Sequence, residues 1–328
     1  MWYGRINQTA RHLREVLPYI TALKIYNLVL SLVEKHFIIA KLKSYPVVLK
    51  VDPTPFCQLH CPLCFHSDPK FNKQFKLEEN LSKENLKKII EPIKNRLFWV
   101  SLSHRGEPLL NPNLIECIEY LHNSNIAVSF PTNFSVKMKD KHIIRLVKSG
   151  LDAIFISLDG ASSETYLQYR VGGNFDLILQ NVKKMQYYKH EFNSSRPRIV
   201  WKFIIFEHNK HEINIVKNKY KELGFDSFEL VYNKEGEIEL ARKEKRLNKR
   251  IKIKKNCYWL WHIMVILSDG QVNPCCWGKN FNIGNAFKTN ILEIWNNTIY
   301  KKLRSGFKKE NYPDELHYYC KRCYKIIP

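Results

Sequence analysis

Between residues 47 and 232 the sequence alternates short β-branched apolar runs with segments of helical periodicity. The strand-like runs cover residues 47–51, 98–103, 126–130, 152–158, 198–206 and 227–232. The helix-like segments are Lys83–Arg96, Asn113–Asn123, Asp140–Ser149, Asp176–His190 and Lys210–Leu223. Such alternation predicts an α/β fold of parallel βαβ units with right-handed crossovers, covered on both faces of the sheet. Six units predict a partial (βα)6 TIM-like barrel that is open on one side.

The composition agrees with a folded protein and leaves the partner open. The chain has 328 residues, 45% of them hydrophobic, which is long enough for a large core and a small appended domain. Its net charge of +22 would attract nucleic acid, anionic lipid or phosphorylated substrates, although a genome of biased base composition also explains it. The first twenty residues lack the apolar region of a secretory signal. We therefore expect a cytoplasmic protein whose nine cysteines stay reduced.

The chain divides into four predicted parts. Residues 1–46 form a helical extension, 47–232 the barrel core, 233–256 a charged linker, and 257–328 a small Cys-rich module. Within the module, "HIMVIL" (262–267) and "QVNP" (271–274) are predicted strands joined by a tight turn at Asp269-Gly270.

The N-terminal extension predicts one or two amphipathic helices over residues 11–42. Its polar residues recur at helical spacing, at Lys24, Asn27, Ser31 and Glu34–Lys35. The remaining positions form a wide apolar face made of Ile20, Leu23, Leu28, Leu30, Val33 and Phe37. We expect this apolar face to dock on the barrel; contact with a membrane interface or a second copy are the alternatives. The longest uncharged run, residues 25–33, is far shorter than the roughly 20 residues that span a bilayer.

Three cysteines follow the first predicted strand directly. Cys57, Cys61 and Cys64 lie in a Pro-rich loop where parallel α/β folds place their ligands. Three thiolates on a cluster of four irons leave one iron free to bind a small molecule, whereas electron-transfer clusters normally have four cysteines. A zinc site is the alternative, although structural zinc prefers four ligands. Cys117, on an apolar helix face, is predicted to be a buried core thiol.

The spacing Cys-x3-Cys-x2-Cys after the first strand resembles the radical S-adenosylmethionine (SAM) superfamily. Further similarity lies in "HRGEPLLNP" (104–112), "ISLDG" (156–160) and "YLQYRVGGNFD" (166–176). The resemblance implies a [4Fe–4S] cluster on the three thiolates, with SAM bound at the free iron. It also implies that SAM is contacted by Gly106, Glu107, Pro108, Ser157, Asp159 and Arg170. The guanidinium of Arg170 would match the SAM carboxylate.

The last five cysteines resemble the SPASM/twitch extension of radical SAM enzymes. The predicted hairpin brings Cys257 and Cys275 to one end, and the Cys-x2-Cys turn of Cys320 and Cys323 can close the site. Cys276 is an alternative to Cys275. The resemblance implies one auxiliary [4Fe–4S] cluster, since the larger form needs about seven cysteines; a zinc ribbon is the alternative.

The resemblance implies reductive cleavage of SAM to a 5′-deoxyadenosyl radical, which abstracts a hydrogen atom from a substrate. The expected outcome is a two-electron oxidation of a sugar, cyclitol or lipid-linked molecule, with the auxiliary cluster as acceptor and a flavodoxin or ferredoxin as donor. Candidate bases are His66, His104 and Lys202. A peptide or protein maturase is the alternative within this class. A zinc-dependent nucleic-acid-binding protein is an alternative outside it, but the basic residues form no aromatic-interleaved patch, so no specific nucleic acid is expected.

Overall fold

A computed structural model describes residues 14–67, 79–232, 257–276 and 283–308. Eight strands in these ranges build a single sheet. They are β1 (Val48–Val51), β2 (Trp99–Leu102), β3 (Ala127–Thr132), β4 (Ala153–Ser157), β5 (Arg198–Ile205), β6 (Ser227–Tyr232), β7 (Ile263–Ile266) and β8 (Val272–Asn273). The first six match the predicted strands to within two residues at every boundary.

The strand order is β6-β5-β4-β3-β2-β1-β7-β8. Neighbours from β6 through to β7 pair in parallel, and only the β7–β8 hairpin is antiparallel. The two ends of the sheet do not pair with each other among the described residues. The predicted partial barrel, open on one side, is therefore confirmed.

The strand β7 joins the barrel sheet beside β1, which the sequence pattern did not predict. Val48 pairs with Ile263 and Val51 with Ile266 in parallel register. The hairpin that was predicted as part of a separate Cys-rich module thus continues the barrel sheet by one parallel strand. Gly270 closes the hairpin with φ +84°, a backbone conformation that glycine adopts without steric strain.

Helices alternate with the strands and cover the outer face of the sheet. The α-helices are α1 (Ala22–His36), α2 (Lys83–Ile90), α3 (Leu114–Asn123), α4 (Asp140–Lys148), α5 (Ser163–Tyr169), α6 (Phe175–Glu191), α7 (Ile213–Lys219), α8 (Trp259–His262), α9 (Ile291–Trp295) and α10 (Thr298–Ser305). Side chains of Ser82, Ser162 and Asn174 cap the N-termini of α2, α5 and α6 and satisfy amides that a helix start leaves free. The short helix α5 was not predicted, and the segment predicted as Lys83–Arg96 ends its α-helix at Ile90.

The strands pack alternate residues on opposite faces of the sheet. Ile154, Ile156 and Trp201 belong to the large core between the sheet and the helices. Ala153, Phe155 and Val200 form a separate small cluster on the other face of the sheet. The period of two residues thus defines a mainly apolar outer face, packed against the helices, and an inner face that lines the barrel. Cys117 on α3 is 1% exposed within the large core, as predicted.

The helix α1 contacts the barrel with its polar face, so the predicted docking through the apolar face is wrong. Its buried residues are Lys24, Asn27, Ser31 and Glu34. Its large apolar residues point outward instead, and those exposed by more than two fifths are Leu23, Ile25, Tyr26, Val29, Leu32 and Val33, followed by Phe37.

The buried polar residues of α1 satisfy backbone groups in the loops that enter the strands. The Nδ2 atom of Asn27 donates to Tyr45 O at 3.2 Å and to Arg96 O at 3.1 Å, and its Oδ1 accepts from Tyr45 N at 2.8 Å. The Nζ atom of Lys24 donates to Asn125 O. These backbone groups lie just before β1, β2 and β3, where no neighbouring strand supplies a partner, so a polar helix face is required there.

The second half of α1 makes contacts of the same kind. Ser31 Oγ donates to Trp261 O at 2.8 Å, just before β7. The carboxylate of Glu34 accepts from Lys43 N at 2.5 Å and from both the backbone N and Oγ of Ser44. The helix α1 therefore lies across the amino ends of the central strands.

The C-terminal helices pack against the same end of the barrel. Trp295 Nε1 donates to Ser44 O at 3.1 Å. Arg304 is fully buried, with Nε donating to Leu260 O at 2.8 Å and Nη1 to Ala40 O at 3.1 Å. These contacts join the N-terminal extension, the hairpin and the C-terminal helices in one core. Within the described ranges, every helix is too short or too polar to cross a membrane.

Candidate functional site

The three-cysteine loop begins at the carboxyl end of β1, as predicted. Cys61 is 5% exposed, and Cys57 and Cys64 are half-buried. Cys64 N donates to Cys61 O at 3.0 Å, which forms a tight turn between those two thiols. The side chain of Ser67 also donates to Cys61 O at 2.8 Å. The loop is therefore held by its own hydrogen bonds in a shape that keeps the thiols at one end of the barrel.

Gly106 is the residue against which this loop packs. A Cβ atom added at Gly106 would lie 2.1 Å from Thr54 O and 2.6 Å from Phe56 O, both backbone atoms just before Cys57. The neighbouring Glu107 N donates to Phe56 O at 2.7 Å. Because any side chain at 106 would displace the loop backbone, glycine at this position keeps the thiols in place.

The carboxylate of Glu107 braces the loops after β2 and β3. It is 3% exposed and accepts from Thr132 Oγ1 at 2.5 Å, Asn133 N at 2.7 Å and Leu109 N at 3.2 Å. Burial raises the pKa of Glu107 to about 7, although these donors oppose the shift. Glu107 therefore orients the backbone around the site, and its predicted contact with SAM through the backbone stays a prediction.

Two residues direct N–H groups at the thiols. Asn133 Nδ2 lies 3.8 Å from Cys57 Sγ, and Arg170 Nη1 lies 3.9 Å from Cys61 Sγ. Such donors stabilise a sulfur that carries negative charge, as a thiolate ligand does. The sequence did not predict a role for Asn133, and its place after an apolar strand was the only signal available.

Asp159 and Arg170 form a buried ion pair beside the cysteine loop. Both Nε and Nη2 of Arg170 lie 2.6 Å from Oδ2 of Asp159, which is fully buried. The other oxygen, Oδ1, accepts from Ile204 N at 2.7 Å. This pair fixes the guanidinium toward Cys61, while the predicted SAM contacts of Ser157, Asp159, Arg170, Gly106 and Pro108 stay predictions.

The inner face of the barrel carries charged and hydroxyl groups. Lys50 on β1 is in register with Ser101 on β2, and Lys202 on β5 is in register with Glu229 on β6. Burial lowers the pKa of Lys202, an effect that the negative charge of Glu229 opposes. Lys202 was predicted from the sequence as a candidate base, whereas Lys50 and Glu229 were not. The available signal was the same for all three, an ionisable residue within an apolar strand.

The two candidate histidines differ in their surroundings. His66 Nε2 donates to Arg105 O at 2.8 Å, and burial lowers the pKa of His66. Burial also lowers the pKa of His104 well below its ordinary value, and the charges of Lys50 and Arg105 add to that shift. His104 is thus neutral at physiological pH and lies near charged groups of the inner face, whereas His66 supports a loop backbone.

The donor set at the first site fits an iron–sulfur cluster. Three thiols lie in one loop at the carboxyl end of β1, with an arginine and an amide directed at two of them. Burial raises the pKa of Cys57 to about 11 and also raises the pKa of Cys61, where Arg170 opposes the shift. Iron binding must therefore displace these protons. Among the described residues, no three His, Cys, Asp or Glu side chains lie close enough to hold a single metal ion.

The second cysteine site is partly described. Cys257 precedes α8 and β7, and Cys275 follows β8, so the antiparallel hairpin brings both to one end. Burial raises the pKa of Tyr300, and the charges of Cys275 and Cys257 both act in the same direction. The pairing of Cys257 with Cys275 stays a prediction, and Cys276 remains the alternative. Cys320 and Cys323 lie outside the described residues.

The chain matches two known families. Residues 51–193 match the radical SAM superfamily, and residues 257–324 match SPASM, an iron–sulfur cluster-binding domain. The first match contains all three loop cysteines. The second contains five cysteines, including the two outside the described residues. Together the two matches cover more than half of the chain.

Curated relatives share part of the chain. The 7,8-dihydro-6-hydroxymethylpterin dimethyltransferase of Methanocaldococcus jannaschii is 30% identical over 152 residues, covering 44% of this chain and 29% of that protein. The mycofactocin maturase MftC of Mycobacterium tuberculosis is 28% identical over 141 residues, covering 43% of this chain and 34% of that protein. The matched region thus spans about a third of these relatives.

A solved structure supports the fold over most of the chain. Streptococcus suis SuiB bound to its precursor peptide SuiA superposes with a TM-score of 0.64 at 18% identity, covering 84% of this chain and 70% of SuiB. With the cysteine loop, the partial barrel and the two family matches in agreement, the chain belongs to the radical SAM superfamily and carries a C-terminal iron–sulfur domain of SPASM type.

Proposed function

We propose that this protein cleaves SAM reductively and uses the 5′-deoxyadenosyl radical to abstract a hydrogen atom from a residue of a peptide substrate. A sugar, cyclitol or lipid-linked substrate, which the sequence favoured, has less support. One relative is a maturase, and a structure of similar fold was solved with a precursor peptide bound. Both similarities favour the peptide alternative.

The open edge of the barrel sheet is the main structural support for a peptide substrate. Among the described residues β6 pairs with β5 alone, and an extended peptide can add as a strand to such a sheet edge. The side chain of Tyr232 at the end of β6 is 67% exposed. Glu229 on the same strand and Lys202 beside it line the inner face, where they can bind the polar backbone and side chains of a peptide.

The cysteines divide between two clusters in this proposal. The first [4Fe–4S] cluster would be held by Cys57, Cys61 and Cys64. The auxiliary [4Fe–4S] cluster would be held by Cys257, Cys275, Cys320 and Cys323. When bound, the clusters and SAM supply the one-electron cleavage that generates the radical and an acceptor for a second electron. The Asp159–Arg170 pair holds the cysteine loop and the fourth strand in fixed positions around them.

A net oxidation also requires a base for the substrate proton. The hydrogen atom leaves with 5′-deoxyadenosine and the second electron passes to the acceptor. The remaining proton must therefore be taken by a group of the protein. His104 is neutral because burial lowers its pKa, and Lys202 has a lowered pKa for the same reason. Both lie near the inner face, and we propose them as candidate bases in preference to His66, which donates to a backbone carbonyl.

The test is anaerobic reconstitution followed by incubation with SAM and a reductant, either dithionite or a flavodoxin-type donor. About eight irons per chain are expected for two [4Fe–4S] clusters. 5′-Deoxyadenosine should accumulate, and a deuterated precursor peptide encoded near the gene should transfer deuterium into it. Two zincs per chain without sulfide would refute the proposal.

Two cysteine variants provide a matched comparison. Cys61→Ala removes a predicted ligand and should abolish 5′-deoxyadenosine formation. Cys117→Ala removes a thiol that is equally buried but lies in the core of α3, and it should retain the activity. If Cys61→Ala retained the same 5′-deoxyadenosine formation as an active Cys117→Ala variant, the loop thiols would not hold the cluster.

A small-molecule substrate is the second candidate. The relative from Methanocaldococcus jannaschii is named as a dimethyltransferase of a pterin. The positive side chains of Lys50 and Lys202 on the inner face suit an anionic small molecule. Deuterium transfer from a sugar phosphate or cyclitol, in place of the peptide, would favour this candidate.

A further inference from the structure

The outward face of α1 forms a continuous apolar stripe. We call it the apolar stripe and define it as Ile25, Tyr26, Val29, Leu32, Val33 and Phe37. Each of these side chains is between 41% and 64% exposed. Their spacing of three and four residues places them along one side of the helix. A helix of 15 residues is about 22 Å long, so the stripe is an extended apolar surface of the kind that marks an interaction site.

The exposed charges of the N-terminal extension itself have one sign. In the described part of the extension, residues 14–46, the two acidic residues Glu15 and Glu34 are 7% and 5% exposed. Glu15 Oε1 lies 2.6 Å from Arg198 Nε, and Glu34 accepts from backbone amides. The exposed charged side chains are basic, at Arg14, Lys41 and Lys43. The surface therefore offers apolar and positive groups together.

The apolar stripe lies at the opposite end of the barrel from the cysteine loop. The inward contacts of α1 are with loops that enter β1, β2, β3 and β7. The thiols follow β1 at its carboxyl end. A partner on the apolar stripe would therefore contact the amino ends of the strands and leave the mouth of the barrel open.

We propose that the apolar stripe docks on the surface of an anionic lipid bilayer. An amphipathic helix with an apolar outer face and basic neighbours lies in the plane of such an interface, and each basic residue near the surface adds attraction to anionic lipid. The aromatic side chains of Tyr26 and Phe37, 60% and 64% exposed, suit the boundary between headgroups and acyl chains.

Charge disfavours the other occupants. A second copy in a symmetric dimer would place the same surface, with the same basic residues, against itself, in a protein whose net charge is already +22. A peptide helix binds in a groove, whereas the apolar stripe is the convex side of a single helix. An anionic bilayer is the partner whose charge and flat geometry both fit.

This docking would orient the enzyme with its catalytic mouth toward the aqueous phase. SAM, the electron donor and the substrate would then reach the barrel without passing through lipid. Bilayer binding and SAM cleavage are therefore separable, and loss of one should leave the other intact.

The test is flotation of the full-length reconstituted protein with vesicles of phosphatidylcholine, alone or mixed with phosphatidylglycerol. Wild type should float with the anionic vesicles and be released by salt. The variant Tyr26→Gln/Val29→Gln/Val33→Gln should bind at least about tenfold more weakly, since it loses apolar groups that enter the interface. It should retain 5′-deoxyadenosine formation. Lys41→Gln/Lys43→Gln should reduce the preference for anionic vesicles.

A matched control replaces apolar residues of similar exposure elsewhere. Tyr187→Gln/Ile215→Gln/Ile299→Gln alters side chains that are 58%, 41% and 38% exposed, and it should bind vesicles like wild type. Equal binding by the stripe variant and wild type would overturn the proposal. So would a wild-type dimer that fails to bind vesicles and is dissociated by the stripe substitutions, because the occupant would then be a second copy.

Discussion

The orientation of α1 can be tested with two adjacent residues of the same helix. Asn27 is fully buried and makes three hydrogen bonds, to the backbone of Tyr45 and Arg96. Tyr26 is 60% exposed. If α1 docks through its polar face, Asn27→Ala should destabilise the helix strongly and Tyr26→Ala should have almost no effect. Docking through the apolar face would give the reverse order.

The expected difference in stability between Asn27→Ala and Tyr26→Ala follows from the hydrogen bonds that each substitution removes. Asn27→Ala leaves three buried backbone groups without this partner, and each orphaned group costs about 1–3 kcal/mol. Taking the lower value because water can enter the gap, we expect about 3 kcal/mol. Tyr26→Ala should lie within about 0.5 kcal/mol, as exposed substitutions do. Asn and Tyr have similar helix propensities, so the gain on changing to Ala nearly cancels between the two variants.

Amide hydrogen exchange on the reconstituted protein measures this directly, because local opening is read without global unfolding. A loss of about 3 kcal/mol should accelerate exchange across α1 by more than about 100-fold in Asn27→Ala, since about 1.4 kcal/mol is tenfold. Tyr26→Ala should exchange like wild type. Faster exchange in Tyr26→Ala than in Asn27→Ala would refute the assigned orientation.

Three further outcomes are expected. Gly106→Ala should reduce bound iron and 5′-deoxyadenosine formation, since the added Cβ would lie 2.1 Å from Thr54 O; full iron content would contradict the packing argument. Arg170→Lys should lower 5′-deoxyadenosine formation at least tenfold, because lysine keeps the charge but loses the double contact with Asp159. Burial lowers the pKa of His262 to about 4, whereas the unfolded chain protonates near 6.5. Acidification from pH 6.5 to 4 should therefore destabilise wild type relative to His262→Gln, by about 2 kcal/mol at pH 5, as urea unfolding would measure.

The barrel and the first cysteine site could be predicted because their signals are local. The run at residues 152–158 is mostly apolar and contains two isoleucines, and Cys57, Cys61 and Cys64 lie within eight positions. The pairing of β7 with β1 could not be predicted, since it joins residues about two hundred positions apart and nothing in the two strand sequences marks them as neighbours. The hydrogen bonds that hold the site together could not be predicted either. Glu107 accepts from Thr132 and Asn133, and no spacing in the sequence indicates these contacts.

The inverted helix shows where hydrophobic periodicity fails as a guide. Periodicity identifies two faces of α1 correctly, but it assumes that the surface beneath the helix is apolar. Here the surface consists of loops at the amino ends of strands, and their backbone groups require hydrogen-bond partners. An apolar face placed there would leave Tyr45, Arg96 and Asn125 backbone groups buried and unpaired, at about 1–3 kcal/mol each. Four polar side chains satisfy this surface, so the apolar face is left at the outside, where an interfacial partner can bury it.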